Sequence, residues 1–464
     1  MSLFNLEFKK IPFFGATVTW FEDEDFEYAK AVLVFGILLL YFAFSSSETL
    51  AGSSITFFLV LTPLWLPYIL LDLFHLRWMD YVGKKYYFKS GRTLFRIKLP
   101  PEVTKSPEAM EQVLRQIEHP QNPHNLMQTY LGGRQPLPIS LEIVSIGGDV
   151  RFYVSVDNSK AKPAFVPAMY SQYPGVELIE EPVDYAGEIS PSDPDWEMIA
   201  FHPGKKKNIR SIHTYVDQRL DSMPKEEEKT DPMTIMLEFL GSIGPNERLY
   251  YQFILMPERD KRFKAGQFQF GTTKEDWTED AQKYVDELMV RDPKTKASAA
   301  AEDDEAEYQG SVRITPGERE DIETLERQMS KPVFKVGMKY FYLAKKGHFR
   351  NIQTPINMSL RPFNRPGRGE IGTRWRTDFN YKFLSDPFGK RLARMKHQEH
   401  REYKLRKYNP KNLRDGYKIF SIEEIATMFH LPGSVASTPT LGRVESARSQ
   451  APSNLPVGDF QEKT

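Results

Sequence analysis

The chain has 464 residues, 40% of them hydrophobic, which is room for two or three domains and enough apolar material to build their cores. Its 62 Lys and Arg balance 62 Asp and Glu, so affinity for nucleic acid or a membrane surface has to come from local segregation of charge. There is no cysteine, which excludes disulfides, thiolate metal sites and a cysteine nucleophile and fits a reducing compartment.

Residues 1–30, with Phe4, Phe8, Phe13, Phe14 and Trp20, read as a juxtamembrane segment lying along the inner surface. From Ala31 to Ser47 there are 17 residues without a charge, and from Thr49 to Leu71 there are 23 more. Both runs approach or exceed the ~20 residues needed to cross hydrocarbon. A cleavable signal peptide would carry one short apolar core behind a basic N-terminus, whereas here two runs lie close together and "FEDEDFEYAK" precedes the first. The pattern predicts a transmembrane helical hairpin over 31–76, kinked in its second span at Pro63 and Pro67. A buried pair of core helices is the alternative, and the lack of a polar face on either run argues against it. The connecting "SSSETLAGSS" has no Lys or Arg, while Arg77, Lys84, Lys85, Lys89, Arg92, Arg96 and Lys98 follow the second run. Basic flanks stay on the cytoplasmic side. Both termini and the soluble body are therefore expected to face the cytoplasm from the inner membrane, with Tyr41, Trp65, Trp78 and Tyr81 as interfacial aromatics.

Beyond the apolar runs the pattern is that of an α+β protein. "TLFRIKLP" reads as a strand, and Ser106 is expected to cap a helix with Pro107 at its first position and Met110, Val113, Leu114 and Ile117 on one face. "ISLEIVSIGGDVRFYVSVD" reads as a hairpin turning at Gly147-Gly148. A helix around Pro163 to Tyr173 and the strand "VELIEE" complete the order strand, helix, strand, strand, helix, strand over 84–185, a ferredoxin-like (βαββαβ) plan.

A similar order recurs over 193–433, predicting tandem ferredoxin-like units. Asp231-Pro232 open a helix, "RLYYQFILM" follows as a strand, and "PVFKVGMKYFYLA" is a later strand with Phe334, Val336, Met338 and Tyr340 on one face. Between those strands a helix around Trp277 to Met289 shows Trp277, Ala281, Tyr284 and Leu288 at helical spacing. Residues of about 292–314 form an acidic insertion with the composition of disorder, and Thr315 starts another helix with a capping box. The last helix and strand of this unit are indistinct in sequence. In "FSIEEIATMFHLPG", Ser421 and Glu424 can cap reciprocally and Pro432-Gly433 stop the helix. Residues 434–464 read as a disordered tail.

Enzymatic motifs are scarce. No GxxxxGK[ST] or GxSxG is present; "GRGEIG" at 367–372 lacks the preceding strand and following helix of a dinucleotide loop and reads as a flexible turn. "HQEHRE" at 397–402 lacks the spacing that puts two imidazoles and a carboxylate on one metal and reads as a solvated helix face. We expect no catalytic residue, cofactor or metal.

The functional bias is electrostatic. Between Arg361 and Arg414 stand 16 Lys and Arg against 5 Asp and Glu, so this segment carries about +11 and the rest of a neutral chain about −11. Arg361, Arg365, Arg368, Arg374 and Arg376 alternate with Phe363, Trp375 and Phe379. A basic helix then carries Lys390, Arg391, Arg394, Lys396, Arg401, Lys404, Arg406 and Lys407. Phosphate neutralisation with aromatic stacking holds single-stranded nucleic acid without sequence preference. Contact with anionic lipid headgroups, or a solvated or partner-facing surface, would use the same residues.

Taken together, "SPEAMEQVLRQIEH", "AMYSQYPGVELIE", "LEFLGSIGPNERLYYQFIL", "ITPGEREDIETLERQMSKPVFKVGMKYFYLAKK", "FSIEEIATMFHLPG" and "TPTLGRVESARSQAPSNLP" resemble the N-terminal region of bacterial type IV secretion and conjugation coupling-protein-like ATPases, relatives in the FtsK/HerA superfamily. The resemblance covers most of residues 70–456 and rests on many moderate matches in order. In that family the final linker leads into a motor domain with a phosphate loop, and no such motif stands here. The resemblance therefore implies a non-enzymatic, membrane-anchored component of a DNA or protein transfer apparatus that docks a separate motor ATPase. Single-stranded or duplex DNA and further copies of the chain are its other expected partners. A membrane scaffold whose basic segment touches lipid headgroups, with no nucleic-acid role, is the alternative.

Overall fold

A computed structural model describes residues 74, 77–99, 105–118, 126–135, 137–222, 231–257, 277–289, 315–377, 386, 389–408 and 416–433. The N-terminal segment, the two apolar runs of the expected hairpin, the acidic insertion and the tail lie outside these residues. Among the described residues no helix is long and apolar enough to cross a membrane.

The protein is α+β. After helical residues 77–90 come β1 (Arg92–Lys98), α1 (Glu108–Ile117), α2 (Leu126–Tyr130), β2 (Ile139–Ile146), β3 (Asp149–Asp157), α3 (Ala161–Gln172) and β4 (Glu177–Glu180). The second half holds β5 (Trp196–Lys205), α4 (Pro232–Gly241), β6 (Glu247–Pro257), α5 (Trp277–Leu288), α6 (Pro316–Met329), β7 (Val333–Lys345), α7 (Gln353–Ser359) and β8 (Ile371–Arg376). It closes with α8 (Lys390–Lys404), β9 (Lys418–Ser421) and α9 (Ile422–Met428). The nine strands among the described residues form one sheet in the order β4-β1-β3-β2-β6-β7-β5-β8, with β9 added beside β7. The pairings are antiparallel throughout. Each half thus arranges its strands in the same way, fourth, first, third, second, and the two halves join along β2 and β6. The segments indistinct in sequence are α7 and β8.

Strand periodicity sorts the side chains. In β2, Ile139, Leu141 and Ile143 enter the main core, which lies between one face of the sheet and α1, α3, α4, α7 and α9. The four β7 residues expected on one face, Phe334, Val336, Met338 and Tyr340, are in this same core. The opposite face carries a smaller aromatic cluster that includes Tyr153, Tyr185, Tyr250, Phe341 and Tyr403. With both faces covered, β2 and β7 read as nearly continuous apolar runs, and the polar residues that interrupt them stand out.

Helix ends follow the capping chemistry in most places. Thr315 with Glu318 and Ser421 with Glu424 form complete capping boxes, and Asp231 caps α4 ahead of Pro232. Two expectations are corrected. Pro107 is itself the N-cap of α1, and Ser106 contributes its backbone carbonyl to Ala109 N–H at 3.1 Å instead of its hydroxyl. "GRGEIG" is a packed turn running into β8: Arg365 N–H donates to Gly369 O at 2.8 Å, and a Cβ on Gly369 would lie 1.7 Å from Ser211 O, so only glycine fits.

The end of α9 is tied to the start of α4 by a buried pair. His430 donates from Nδ1 to Ala426 O and from Nε2 to Asp231 Oδ2, both at 2.9 Å, which requires the imidazolium. Burial alone would lower the His430 pKa, but Asp231 outweighs it and holds it above 6.5. Burial would raise Asp231, and His430 outweighs that and holds it below 3.8. The stabilisation is fully present between about pH 4 and 6.5; it fades as pH rises through the raised histidine value and, in acid, as pH falls through the depressed aspartate value. We expect this contribution to stability to fall as pH rises above 6.5. His430→Asn should be about 1.5–3 kcal/mol less stable at pH 6 and lack this pH dependence. An unchanged trend in the variant's melting curves would remove the pair from the account.

Candidate functional site

The basic helix α8 lies across the face of the sheet opposite the main core, above a row of polar residues that the pairing register brings into line. Tyr153 on β3, Glu142 on β2, Gln252 on β6 and Lys339 on β7 are successive neighbours across four strands. All four are buried. Burying a carboxylate and an ammonium beneath a helix is costly unless each finds an opposite charge and enough hydrogen bonds.

Glu142 finds both. Its Oε1 accepts from Ser140 Oγ at 2.6 Å, Gln252 Nε2 at 3.0 Å and Arg406 Nε at 3.0 Å. Its Oε2 accepts from Tyr185 OH at 2.6 Å and Arg406 Nη2 at 3.3 Å. Arg406 also donates to both carboxylate oxygens of Asp184. Burial would lower the guanidinium's pKa, but the two acids hold it well above 12.5. Burial, with Glu142 beside them, pushes the Tyr185 and Tyr403 hydroxyls far above their ordinary range, and their oxygens stand 2.7 Å apart.

Lys339 finds the acids of α8. Its Nζ is 2.9 Å from Glu402 Oε2 and 3.4 Å from Glu399 Oε2, and Glu399 also meets His202 Nε2 at 2.9 Å. Burial would raise Glu399, yet Lys339 and His202 bring it down to about 2. Burial would lower Lys339, and Glu399 and Glu402 raise it instead. The "HQEHRE" stretch is therefore a solvated face only in part, with His397 and Arg401 exposed. Glu399, Glu402 and Tyr403 point into the fold, and His400 donates from Nε2 to Ala186 O at 2.8 Å. Among the described residues no group of three or more His, Asp or Glu is arranged to hold a metal.

With its acids turned inward, α8 shows bases outward. Lys390, Arg394, Arg401 and Lys404 are exposed, and Arg391 and Lys396 are half-buried on the same helix. The other expected contact residues separate into three groups. Arg361 is exposed at a 3-10 turn, Arg361–Phe363, whose Phe363 is buried. Arg365 and Arg368 are held in ion pairs: Arg365 with Asp217 at 2.9 Å and Glu320 at 3.3 Å, Arg368 with Glu320 at 2.9 Å and Asp321 at 3.3 Å. Arg374, Trp375 and Arg376 form part of β8, where Trp375 pairs with His202 and Arg376 with Phe201 of β5. Arg406 is in the buried network, and Lys407 is half-buried with its Nζ 5.3 Å from the centre of the Tyr87 ring. The arrangement brings the α8 bases together as a strip and assigns Arg365, Arg368 and Arg406 to internal pairs.

Sequence reasoning did not single out Glu142, Asp184, Tyr185, Gln252 or Lys339, and it placed Glu399 and Glu402 on a solvated helix face. For Glu142, Gln252 and Lys339 the signal was a charged or amide residue in the middle of a mainly apolar strand, "ISLEIVSI", "RLYYQFILM" and "PVFKVGMKYFYLA". No family model matches this chain, and no curated protein or solved structure is similar to it.

Proposed function

We propose that the chain is a non-enzymatic, membrane-anchored component of a type IV secretion or conjugation-like apparatus for DNA or protein transfer, in which a rigid body docks a separate motor ATPase. One observation carries this reading. Helical residues 77–90 begin six positions after the uncharged run that ends at Leu71, and they are fastened to the body rather than hung from it. Trp78 Nε1 donates to Tyr130 O at 2.7 Å, and Tyr87 OH donates to Leu405 O just past α8. A transmembrane hairpin at 31–71 would thereby be joined to the sheet by a stiff element, as a docking platform needs. The shared strand order of the two halves supports naming them tandem ferredoxin-like units, and the lysines of residues 77–90 support a body on the cytoplasmic side of the inner membrane. ATP turnover at a motor-like rate by the purified chain would overturn the non-enzymatic part.

The exposed bases of α8 are the part of this surface suited to a polyanion, and they act by charge. Among the described residues, the aromatics Phe363, Tyr403 and Tyr408 are buried and are not available for stacking. Full-length protein in detergent should bind single-stranded DNA with an affinity that falls steeply with salt. Replacing Arg394, Arg401 and Lys404 by glutamine should lower the log–log salt slope by about 0.7 for each phosphate that is no longer neutralised. An unchanged slope would remove the nucleic-acid role and leave the anchor standing. A second reading, a scaffold whose bases meet lipid headgroups, is favoured by the seating of Leu405 and Lys407 against Tyr87 of the membrane-proximal helix. Binding confined to vesicles containing phosphatidylglycerol would select it.

A further inference from the structure

Helical residues 77–90 have two unlike sides. Val82, Gly83 and Tyr87 are buried against the body. Phe74, Tyr81 and Phe88 recur every seven residues and are 55%, 60% and 66% exposed. Seven residues fall about 20° short of two full turns, so the three rings make one stripe. Lys85 and Lys89 are exposed on the same helix.

α2 extends this surface. The Trp78 ring stacks on Phe74 at 5.8 Å and reaches Tyr130 at 6.3 Å, in addition to its hydrogen bond to Tyr130 O. The turn after α2 is wedged against the helix: Gly133 has φ +63°, and a Cβ there would lie 2.0 Å from Val82 O. This closeness holds Met127 and Leu131, one turn apart and 65% and 60% exposed, beside the N-terminal half of the stripe. Three exposed rings in one stripe, with two more exposed apolar side chains on the helix packed against it, mark a contact surface. The chain itself indicates what covers them. The uncharged run Thr49–Leu71 ends three residues before Phe74, so a bilayer holding that run has its headgroup region next to the stripe. Aromatic rings on one side and lysines able to extend their amines towards water are what a helix needs to lie in that region.

We propose that helical residues 77–90 lie flat in the inner-leaflet interface with Phe74, Tyr81 and Phe88 towards the acyl chains, and that Met127 and Leu131 make a second lipid contact that sets the tilt of the body against the membrane. This rests on the hairpin reading only for bringing the bilayer to the stripe. Because the native chain has no cysteine, single substitutions give single labels. Full-length Tyr81→Cys, Phe88→Cys, Met127→Cys and Leu131→Cys proteins, each carrying an environment-sensitive dye, are reconstituted into vesicles of phosphatidylcholine and phosphatidylglycerol. Phe58→Cys reports on the apolar run, and Tyr170→Cys, exposed on α3, reports on the body. The expected result is a blue shift and quenching by brominated lipid at 58, 81, 88, 127 and 131, with none at 170. Quenching at 58 while the four surface labels behave like 170 would overturn the proposal and leave the hairpin intact. No quenching at 58 removes the hairpin and the proposal together. Four surface labels shielded from both brominated lipid and aqueous iodide would mean that protein covers the stripe, which also overturns it.

Discussion

Arg406→Ala should cost the folded body about 3–5 kcal/mol. The guanidinium is the only cation within hydrogen-bonding distance of Glu142 among the described residues, and it bridges that buried carboxylate to Asp184. Alanine would leave Glu142 buried with three neutral donors and without its cation. Lysine should not rescue it, because one ammonium cannot span two carboxylates as a planar fork does. The backbone gives an internal control. Arg406 has φ +49° one residue past the C-cap Leu405, with its N–H on Tyr403 O and that of Lys407 on Glu402 O, the pattern of a Schellman motif. A non-glycine residue there costs about 1 kcal/mol or more of strain, which the ion pair overcomes. Arg406→Gly should therefore be destabilised less than Arg406→Ala by about that amount. The double variant Arg406→Met with Glu142→Gln should recover much of the loss by removing the orphaned charge. Denaturant unfolding of the full chain in detergent measures all of these, and an Arg406→Ala protein within 1 kcal/mol of wild type would end the argument.

Elements whose residues speak locally were legible in the sequence. Capping boxes at Thr315 and Ser421, the Asp231-Pro232 helix start and the turn at Gly147-Gly148 depend on residues within a few positions of each other, and each stands where those residues put it. In the first half the order of strands and helices followed from periodicity, whereas β5, the ten-residue strand that opens the second half, was not singled out. Short or irregular elements did not yield to it: α7 has seven residues and β8 six, too few for a period to emerge. The polar row was illegible for a different reason. Glu142, Gln252 and Lys339 come together only through pairings between β2, β6 and β7, at separations of 110 and 87 residues, and nothing local announces that register. The basic count of residues 361–414 was readable, but not its division: Arg365 and Arg368 pair with acids of α6 and the loop around Asp217, and Arg406 with Glu142. A charge total cannot say which charges are spent inside.

That division gives Lys339 a role beyond stability. The acids of α8 face the sheet because Lys339 stands beneath them, and the bases face outward because the acids do not. Lys339→Met would strip Glu399 and Glu402 of their buried cation while leaving every exposed charge of the helix in place. We expect a loss of about 3–5 kcal/mol, released first as detachment of α8, which hydrogen exchange would report as lost protection confined to residues 390–408. The pH dependence should also change sign. In the native protein Glu399 is held at about 2, so its contribution is present above the ordinary glutamate range and is lost as pH falls from about 4 towards 2. Without Lys339 only His202 still opposes burial at Glu399, so the glutamate's pKa should rise from its native value and the variant should gain stability relative to wild type as pH drops from 7 to 4. A Lys339→Met protein whose deficit is constant over that range would refute the docking of α8 by its acids. If the deficit shrinks as expected, the polyanion role proposed for α8 requires that binding by the variant at pH 7 weaken as well, since the strip of bases is presented by a helix that stays in place.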